Sequence, residues 1–406
     1  MKNKIDNFLT KRKLKDGALN GLTGLSSLLS LVMLIGIILF ITIKSVGSFD
    51  FRMITADYYE TPYFALVETN SDYSFDLKDE DGVYYSSLYG IGLKDDKDIE
   101  GNACISIVYI DNLSPMKNAT DVSTGEKISI STGQIVKRVQ VYDGSSTTVL
   151  TTKAGAEEMV NGMDKGTTLK EFYYSTMGGG IRGSLLTTVL LIGITLLIAL
   201  PIGIIAALYL ALYAKKNKIT IILHSLIDMI AGVPSIIFGL FAVIVFIPFV
   251  SNITGNSGGS ILSGALTMAV ILLPTIIKTT EESINNIPKG YQLSSLALGA
   301  SQTQTTFKVI LPNAIPGIIT SVLLSIGRII GESAALIFAI GTAIQDEVSL
   351  FGGSTTLAVH IWSILSGENP NYGMACSISF IILVVVLVLN IAVKLICKKL
   401  NKFEVK

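Results

Sequence analysis

Residues Leu185–Tyr213 read LLTTVLLIGITLLIALPIGIIAALYLALY, a run without one charged side chain, and Lys215, Lys216 and Lys218 follow at once. About 20 apolar residues suffice to cross roughly 30 Å of hydrocarbon as an α-helix. The run therefore predicts a membrane helix with a basic end. Four more runs of this kind lie downstream, at Ile221–Val250, Ile261–Ile277, Ile315–Ile340 and Met374–Ile396. One lies upstream, Leu22–Ile43, behind a polar stretch carrying Lys2, Lys4, Lys11, Arg12, Lys13 and Lys15. A cleaved signal peptide has an apolar core of only about 7 to 15 residues, so Leu22–Ile43 is expected to stay as an uncleaved first helix. The whole composition agrees: 50% of residues are hydrophobic, 15% are charged, and the mean hydropathy is +0.59. Soluble domains carry about 25% charged residues.

The formal net charge of zero hides an asymmetry. Between Val46 and Ser175 there are 21 Asp and Glu against 11 Lys and Arg, and the rest of the chain holds 10 against 20. Threading six spans alternately puts Lys215, Lys216, Lys218, Lys278, Lys289, Lys308, Lys394, Lys398, Lys399 and Lys402 on the side of the basic N-terminus. The acidic segment and the loop with Asp346, Glu347 and Glu368 fall on the other side. Cytoplasmic loops carry the excess of Lys and Arg, so both termini are expected in the cytoplasm of a multi-pass protein of the bacterial inner membrane.

The acidic segment differs in kind. Cys104–Ile110 and Ile135–Tyr142 are β-branched or alternating, and Asp81-Gly82 and Asp143-Gly144 are turn signals. About 130 residues can bury a modest core, which predicts a small, mostly β domain outside the membrane. The expected organisation is a cytoplasmic N-terminus and first helix over 1–45, an extracytoplasmic acidic domain over 46–175, and a transmembrane domain over 176–400. Within the last lies a cytoplasmic loop, 279–316, and a cytoplasmic tail follows at 401–406. The fold class is an all-α polytopic membrane protein of six transmembrane helices, with the β domain inserted between helices 1 and 2.

Several chemistries are excluded. No GxxxxGK[ST] loop is present, so ATP is not bound by that device. His224 and His360 are far apart, and Cys104, Cys376 and Cys397 form no CxxC pair and read as apolar fillers. No catalytic residue, metal site or cofactor is expected, nor binding to nucleic acid. Gly178-Gly-Gly180-Ile-Arg-Gly183 matches GxGxxG but opens a membrane helix, and it reads as a flexible hinge. Gly331-Glu-Ser333-Ala-Ala335 only approaches the GxSxG nucleophile elbow, and no base or oxyanion hole accompanies it.

Charges inside the apolar runs point to function. Arg328 and Glu332 lie four residues apart, hence on one helix face. Counted from Pro316, Arg328 is about 18 Å into its span, near the bilayer middle. Such residues face a bundle interior and mark a substrate path. The same face carries Gly317, Ser321, Ser325 and Ala335, small enough to let another helix approach. Two readings remain: an Arg–Glu pair that fixes packing, or an anion contact by Arg328 moderated by Glu332. The third run holds Asp228 and then Ala231-Gly-Val-Pro-Ser-Ile-Ile-Phe-Gly239, where Pro234 with Gly232 predicts a break beside Ser235. Broken membrane helices line cavities. Pro201 reads as a kink. Thr279–Pro316 reads as two short helices, broken at Pro288-Lys289-Gly290 and at Gly299, the second lasting to Pro312.

This last stretch resembles the coupling loop of bacterial ABC importer permeases, Glu-Ala-Ala, three residues, Gly, nine residues, Ile-x-Leu-Pro. Here Leu293, Ser294 and Ser295 stand where Glu-Ala-Ala is usual, and nine residues separate Gly299 from Val309-Ile310-Leu311-Pro312. The Ala231–Gly239 stretch is similar to the third-span motif of phosphate permeases. Gly327-Arg-Ile-Ile-Gly-Glu-Ser-Ala-Ala-Leu-Ile-Phe338 is similar to their fifth-span Arg-x-x-Gly-Glu-(Ser/Thr) motif. The residues after Glu332 and Thr356-Leu-Ala-Val-His-Ile-Trp362 look like the PstA type. The likeness runs from Thr168 to the C-terminus and leaves the acidic domain out. It implies a type I permease fold and an ATP-driven importer of inorganic phosphate working by alternating access. It implies as partners a second homologous permease, a cytoplasmic ABC ATPase dimer, an extracytoplasmic phosphate-binding protein and membrane lipid. Arg328, Glu332, Ser333, Asp228, Pro234 and Ser235 would line the pathway. Leu293, Ser294, Ser295, Gly299, Leu311 and Pro312 would meet the ATPase, with no catalysis on this chain. A permease for sulfate or molybdate is the alternative, and a receptor sensing ligand through 46–175 a more distant one.

Overall fold

A computed structural model of the chain describes residues 2–46, 48–68, 73–75, 80–166, 168–215, 217–367 and 370–400. Lys216, Glu368 and the tail 401–406, used above to thread and divide the chain, lie outside the described residues. Among the described residues, six helices are long and apolar enough to cross a membrane. They are the Leu19–Val46 part of α1 (Lys2–Val46), α4 (Arg182–Tyr213), α6 (Ser235–Thr254), α7 (Ile261–Asn285), α9 (Gln302–Gly331) and the Tyr372–Ala392 part of α12 (Tyr372–Leu400). Shorter helices are α2 (Arg52–Thr55), α3 (Gly155–Met163), α5 (Lys218–Ala231), α8 (Lys289–Ala297), α10 (Ala334–Ala339) and α11 (Leu357–Ser366). The helix α7 is the centre of the bundle. Ala265, Met268, Leu272 and Ile276 are fully enclosed, packed by α4 on one side and by α9 and α10 on others.

Three boundaries differ from the sequence reading. The run Ile221–Val250 is two helices, α5 ending at Ala231 and α6 beginning at Ser235, and only α6 has the length and composition of a span. The run Ile315–Ile340 is also two helices. Glu332 leaves the helical region with φ −79° and ψ 123°, so it does not share a helix face with Arg328. The cause is local: Gly331 is a poor helix residue, and Glu332 Oε1 accepts from Ala335 N at 3.2 Å, capping the next helix instead. Finally, the loop expected over 279–316 is only the segment 286–301, because α7 runs on to Asn285 and α9 starts at Gln302. Of the two short helices expected there, α8 stands alone and the other is the beginning of α9. Pro312 and Pro316 do not stop α9. A π-helical turn at Thr306–Ile310 precedes them, and Asn313 Nδ2 satisfies the Val309 carbonyl at 2.7 Å.

The acidic segment folds as an antiparallel sheet of β1 (Pro62–Glu68), β2 (Val83–Tyr85), β3 (Ile91–Lys97), β4 (Ala103–Ile110), β5 (Thr120–Asp121), β6 (Ile135–Tyr142), β7 (Thr147–Thr151) and β8 (Thr168–Ser175). The order is β2-β3-β4-β6-β8-β1-β5, with β7 also paired to β6. The turns expected at Asp81-Gly82 and Asp143-Gly144 are present, and both glycines have positive φ. One sheet face buries Leu93, Ile105, Val139 and Phe172 against Met159 and Met163 of α3. Asp95 Oδ1 accepts from Ala156 N at 2.9 Å at the start of α3, and Asp164 at its end holds Ser87 N at 2.9 Å.

The sheet is fastened to the spans at one end of the bundle. The Asp346 carboxylate accepts from Tyr58 N at 2.6 Å and Tyr59 N at 3.0 Å, and Arg182 Nε donates to Asp57 at 2.8 Å. Met53, Cys104, Ile135, Met177, Ile344 and Met374 pack into one apolar cluster at the junction. The segment Gly178–Gly183 is part of this joint and not a hinge. A Cβ on Gly180 would stand 1.9 Å from the Ala56 carbonyl oxygen, and one on Gly183 2.1 Å from that of Gln345. These glycines are there because backbone meets backbone.

Candidate functional site

The break in span three and the break in span five lie side by side. Gly239 of α6 touches Ala335 of α10 so closely that a Cβ would come within 3.0 Å of the Ala335 Cα and carbonyl oxygen. Ser235 begins α6 about one turn before this contact, and Glu332 and Ser333 stand just before Ala335 on the other strand of chain. Both helices run toward the same connection. The helix α6 ends at Thr254, and the Ala339 carbonyl at the end of α10 accepts from Ser263 Oγ at 2.6 Å, near the start of α7. The Gly239–Ala335 contact falls in the first turns of both helices, so their N-termini lie near each other. Pro234 precedes α6 without a side-chain cap, so the first amides of a 20-residue span are left for a ligand or water.

Arg328 sits in the last turn of α9, half-buried, and has no hydrogen-bond or ion-pair partner among the described residues. Glu332 is engaged with the Ala335 amide, so the internal Arg–Glu pair is not formed. Ser333 is half-buried in the break. The small residues behind Arg328 pack on α7: a Cβ on Gly317 would be 2.2 Å from Ser283 Oγ, which donates to the Ala314 carbonyl at 3.1 Å. Ser321 and Ser325 are buried in the same seam. The neighbouring stripe, Thr320, Leu324, Gly327 and Gly331, is open, with nothing near either glycine.

Asp228 is on α5, away from Arg328, and is held by Lys278 Nζ of α7 at 2.5 Å. One turn along, His224 Nδ1 lies 3.7 Å from Glu281. In sequence Lys278 marks only the basic side of the chain, and its pairing with Asp228 comes from the fold. Its signal was a lone cation directly after Ile277, in helical continuation of the fourth apolar run. Opposite Ser283, Gly317 fixes the register of the two antiparallel helices. Lys278 then lies about 9 Å nearer the α8 end of the bundle than Arg328, measured along the axis. The Asp228 and Lys278 side chains remain 59% and 45% exposed. An open ion pair at such a place borders water or another chain and not lipid.

Gly299 adopts φ +87° and closes α8. Leu293 and Leu298 project from the surface at 66% and 89% exposure. Ser294 and Ser295 line an apolar groove with Pro288, Tyr291 and Val309. Leu311 and Pro312 are in α9 beyond the π turn, half-buried and exposed respectively.

The family described as "Binding-protein-dependent transport system inner membrane component" matches residues 199–402, just over half of the chain. The chain belongs to this family. It is a multi-pass permease subunit and not an enzyme, with ATP hydrolysis on a separate subunit. The family's match lies wholly outside the β sheet. The chain is 36% identical over 243 residues to a probable ABC transporter permease, YqgI, of Bacillus subtilis, covering 55% of this chain and 81% of that protein. It is 31% identical over 242 residues to the phosphate transport system permease PstA of Pasteurella multocida, covering 58% and 83%. Among solved structures, a chain of the MetNI methionine ABC transporter in an inward-facing conformation aligns at 23% identity and a TM-score of 0.43, over 54% of this chain and 95% of that one.

Proposed function

We propose that this permease moves inorganic phosphate inward by alternating access, with Arg328 as the anion contact. The observation that carries the reading is an arginine at paired helix breaks that has no counter-charge among the described residues. Glu332, Ser333, Pro234 and Ser235 shape the same opening, and the free amides of α6 add a positive field there. Asp228 and Lys278 stand farther along the path. The phosphate permeases among the relatives support the choice of anion.

The remaining partners follow from the surfaces. A second permease would pack on the open Gly327-x-x-x-Gly331 stripe, where two helices can approach closely. The ATPase dimer would grip α8 and the groove at Ser294 and Ser295, between Gly299 and Leu311-Pro312. Leu293 and Leu298 supply the apolar contact. A phosphate-binding protein would deliver substrate from the side of the acidic domain. That domain and Asp346 share one side, since they touch. The positive-inside rule places Lys215, Lys218, Lys289 and Lys308 in the cytoplasm opposite them, with both termini.

ATP-dependent uptake of labelled phosphate tests the reading. The chain is reconstituted in liposomes with partner permease, ATPase and binding protein, and sulfate and molybdate serve as competitors. Uptake blocked by unlabelled phosphate and not by sulfate or molybdate is expected. An intact complex that hydrolyses ATP and takes up sulfate or molybdate instead would transfer the site to that oxyanion.

A second expected result concerns coupling. The left-handed conformation of Gly299 costs any other L-residue about 1–2 kcal/mol, and the position faces open space. Gly299→Asp would thus deform the end of α8 and put a carboxylate into the ATPase contact. ATP hydrolysis should persist while uptake per ATP falls severalfold. An unchanged ratio would remove Gly299 from the coupling surface.

A further inference from the structure

The cytoplasmic end of α4 is joined to the beginning of α9 by side chains that the transport motifs do not include. The helix α4 finishes in a π-helical turn, Tyr209–Tyr213, and α9 carries its own at Thr306–Ile310. The two turns face each other. Tyr213 OH lies 3.0 Å from Thr306 Oγ1, and Gln302 Nε2 donates to the Leu212 carbonyl at 3.2 Å. That carbonyl is among the last four of α4, which have no donor within their helix. Thr306 Oγ1 in turn donates to the Gln302 carbonyl at 2.9 Å, so the joint is closed on itself. One residue away, Thr305 Oγ1 lies 2.9 Å from Ser295 Oγ of α8. Thr305 and Thr306 are each 2% exposed, while Tyr213 and Gln302 close the joint from its exposed side. Leu208, Ile284 and Ile310 pack beneath them.

At its other end α4 is equally fixed. Ser184 Oγ bonds His360 Nδ1 at 2.7 Å and Thr355 Oγ1 at 3.0 Å, and Thr187 Oγ1 bonds Ser354 Oγ at 2.6 Å. Thus α4 is a strut tied to the coupling segment below and to the outer loop and β domain above. π-Helical turns recur at functional sites, and two of them locked together make a joint that shifts as a unit.

We infer that Tyr213 and Thr306 form the joint through which movement of α8 is passed into α4, making Tyr213 a positioning residue for coupled transport. This rests on the importer reading above. The test replaces single groups in the assembled complex with its ATPase, partner permease and binding protein. Two quantities are read: phosphate taken up per ATP hydrolysed, and the stimulation of ATP hydrolysis by phosphate-loaded binding protein. Tyr213→Phe removes one hydroxyl and keeps the ring. Basal hydrolysis should be unchanged, while both coupled quantities fall by about three- to tenfold, the range of one hydrogen bond. Thr306→Val should do the same, the double variant should be no worse than either single, and Thr306→Ser should restore coupling. Unchanged coupling in Tyr213→Phe, or equal loss of basal hydrolysis and uptake, would overturn the inference. Absence of phosphate uptake by the unmodified complex would instead count against phosphate as substrate. The joint would then stand or fall on whether Tyr213→Phe loses stimulation by the binding protein carrying the solute that is taken up.

Discussion

Arg328→Ala should abolish most phosphate uptake while the complex still assembles. The guanidinium has no partner among the described residues, so its removal leaves no buried carboxylate orphaned. The structural loss is limited to the favourable placing of a cation at the C-terminal end of α9, about 0.3–1 kcal/mol. By contrast, a charge-assisted hydrogen bond to an anion is worth about 1.5–3 kcal/mol, and Arg can make two in parallel to phosphate. Uptake is therefore expected to drop by at least about tenfold, and on the order of a hundredfold when both bonds are lost. Arg328→Lys should recover part of it, since a point charge replaces the fork. Co-purification with the partner subunits and labelled uptake are the two measurements. A variant that no longer assembles would assign Arg328 to packing, and a variant that transports normally would remove it from the pathway.

Gly180→Ala should loosen the β domain from the membrane part. Its Cβ would fall 1.9 Å from the Ala56 carbonyl oxygen and 2.2 Å from the carbonyl carbon. Both are backbone atoms, and no rotamer change relieves the clash. Overpacking of this kind costs about 1–3 kcal/mol or more. Cys104 reports on the joint. It is 7% exposed in the cluster with Met53 and Met177, and burial pushes its thiol pKa up to about 11. Only about one molecule in a thousand would be thiolate at pH 8, so maleimide labelling should be slow in the parent protein. With Cys376→Ser and Cys397→Ser as background, Gly180→Ala should lower the melting temperature and speed Cys104 labelling by about tenfold or more. Equal labelling rates with an unchanged melting temperature would show that the contact yields at no cost.

These two sites were legible to different degrees. Arg328 could be found from sequence because a charge in an apolar run is costly wherever the run folds. Its relation to Glu332 could not. Equal spacing in sequence becomes a shared helix face only if the helix continues, and whether Gly331-Glu332 continues or caps depends on α10 having α6 to pack against. The pairing of Asp228 with Lys278 was hidden for the same reason, since the two residues come from different helices. Gly178–Gly183 illustrates the opposite error. Glycine permits both mobility and close approach, and only the presence of the Ala56 and Gln345 backbones decides between them.

The sequence by itself determined the membrane class, the apolar runs, the β character of 46–175, the break at Pro234 and the turn at Gly299. Each is a local property: apolar length, alternation, a missing N–H, a positive φ. Only the tertiary structure decided that two helix breaks meet at Gly239 and Ala335, that Arg328 has no partner among the described residues, and that α4 is tied at Tyr213 and Ser184. Those are contacts between residues far apart in the chain. They are fixed by helix packing at small side chains, whose partners no one-dimensional pattern names.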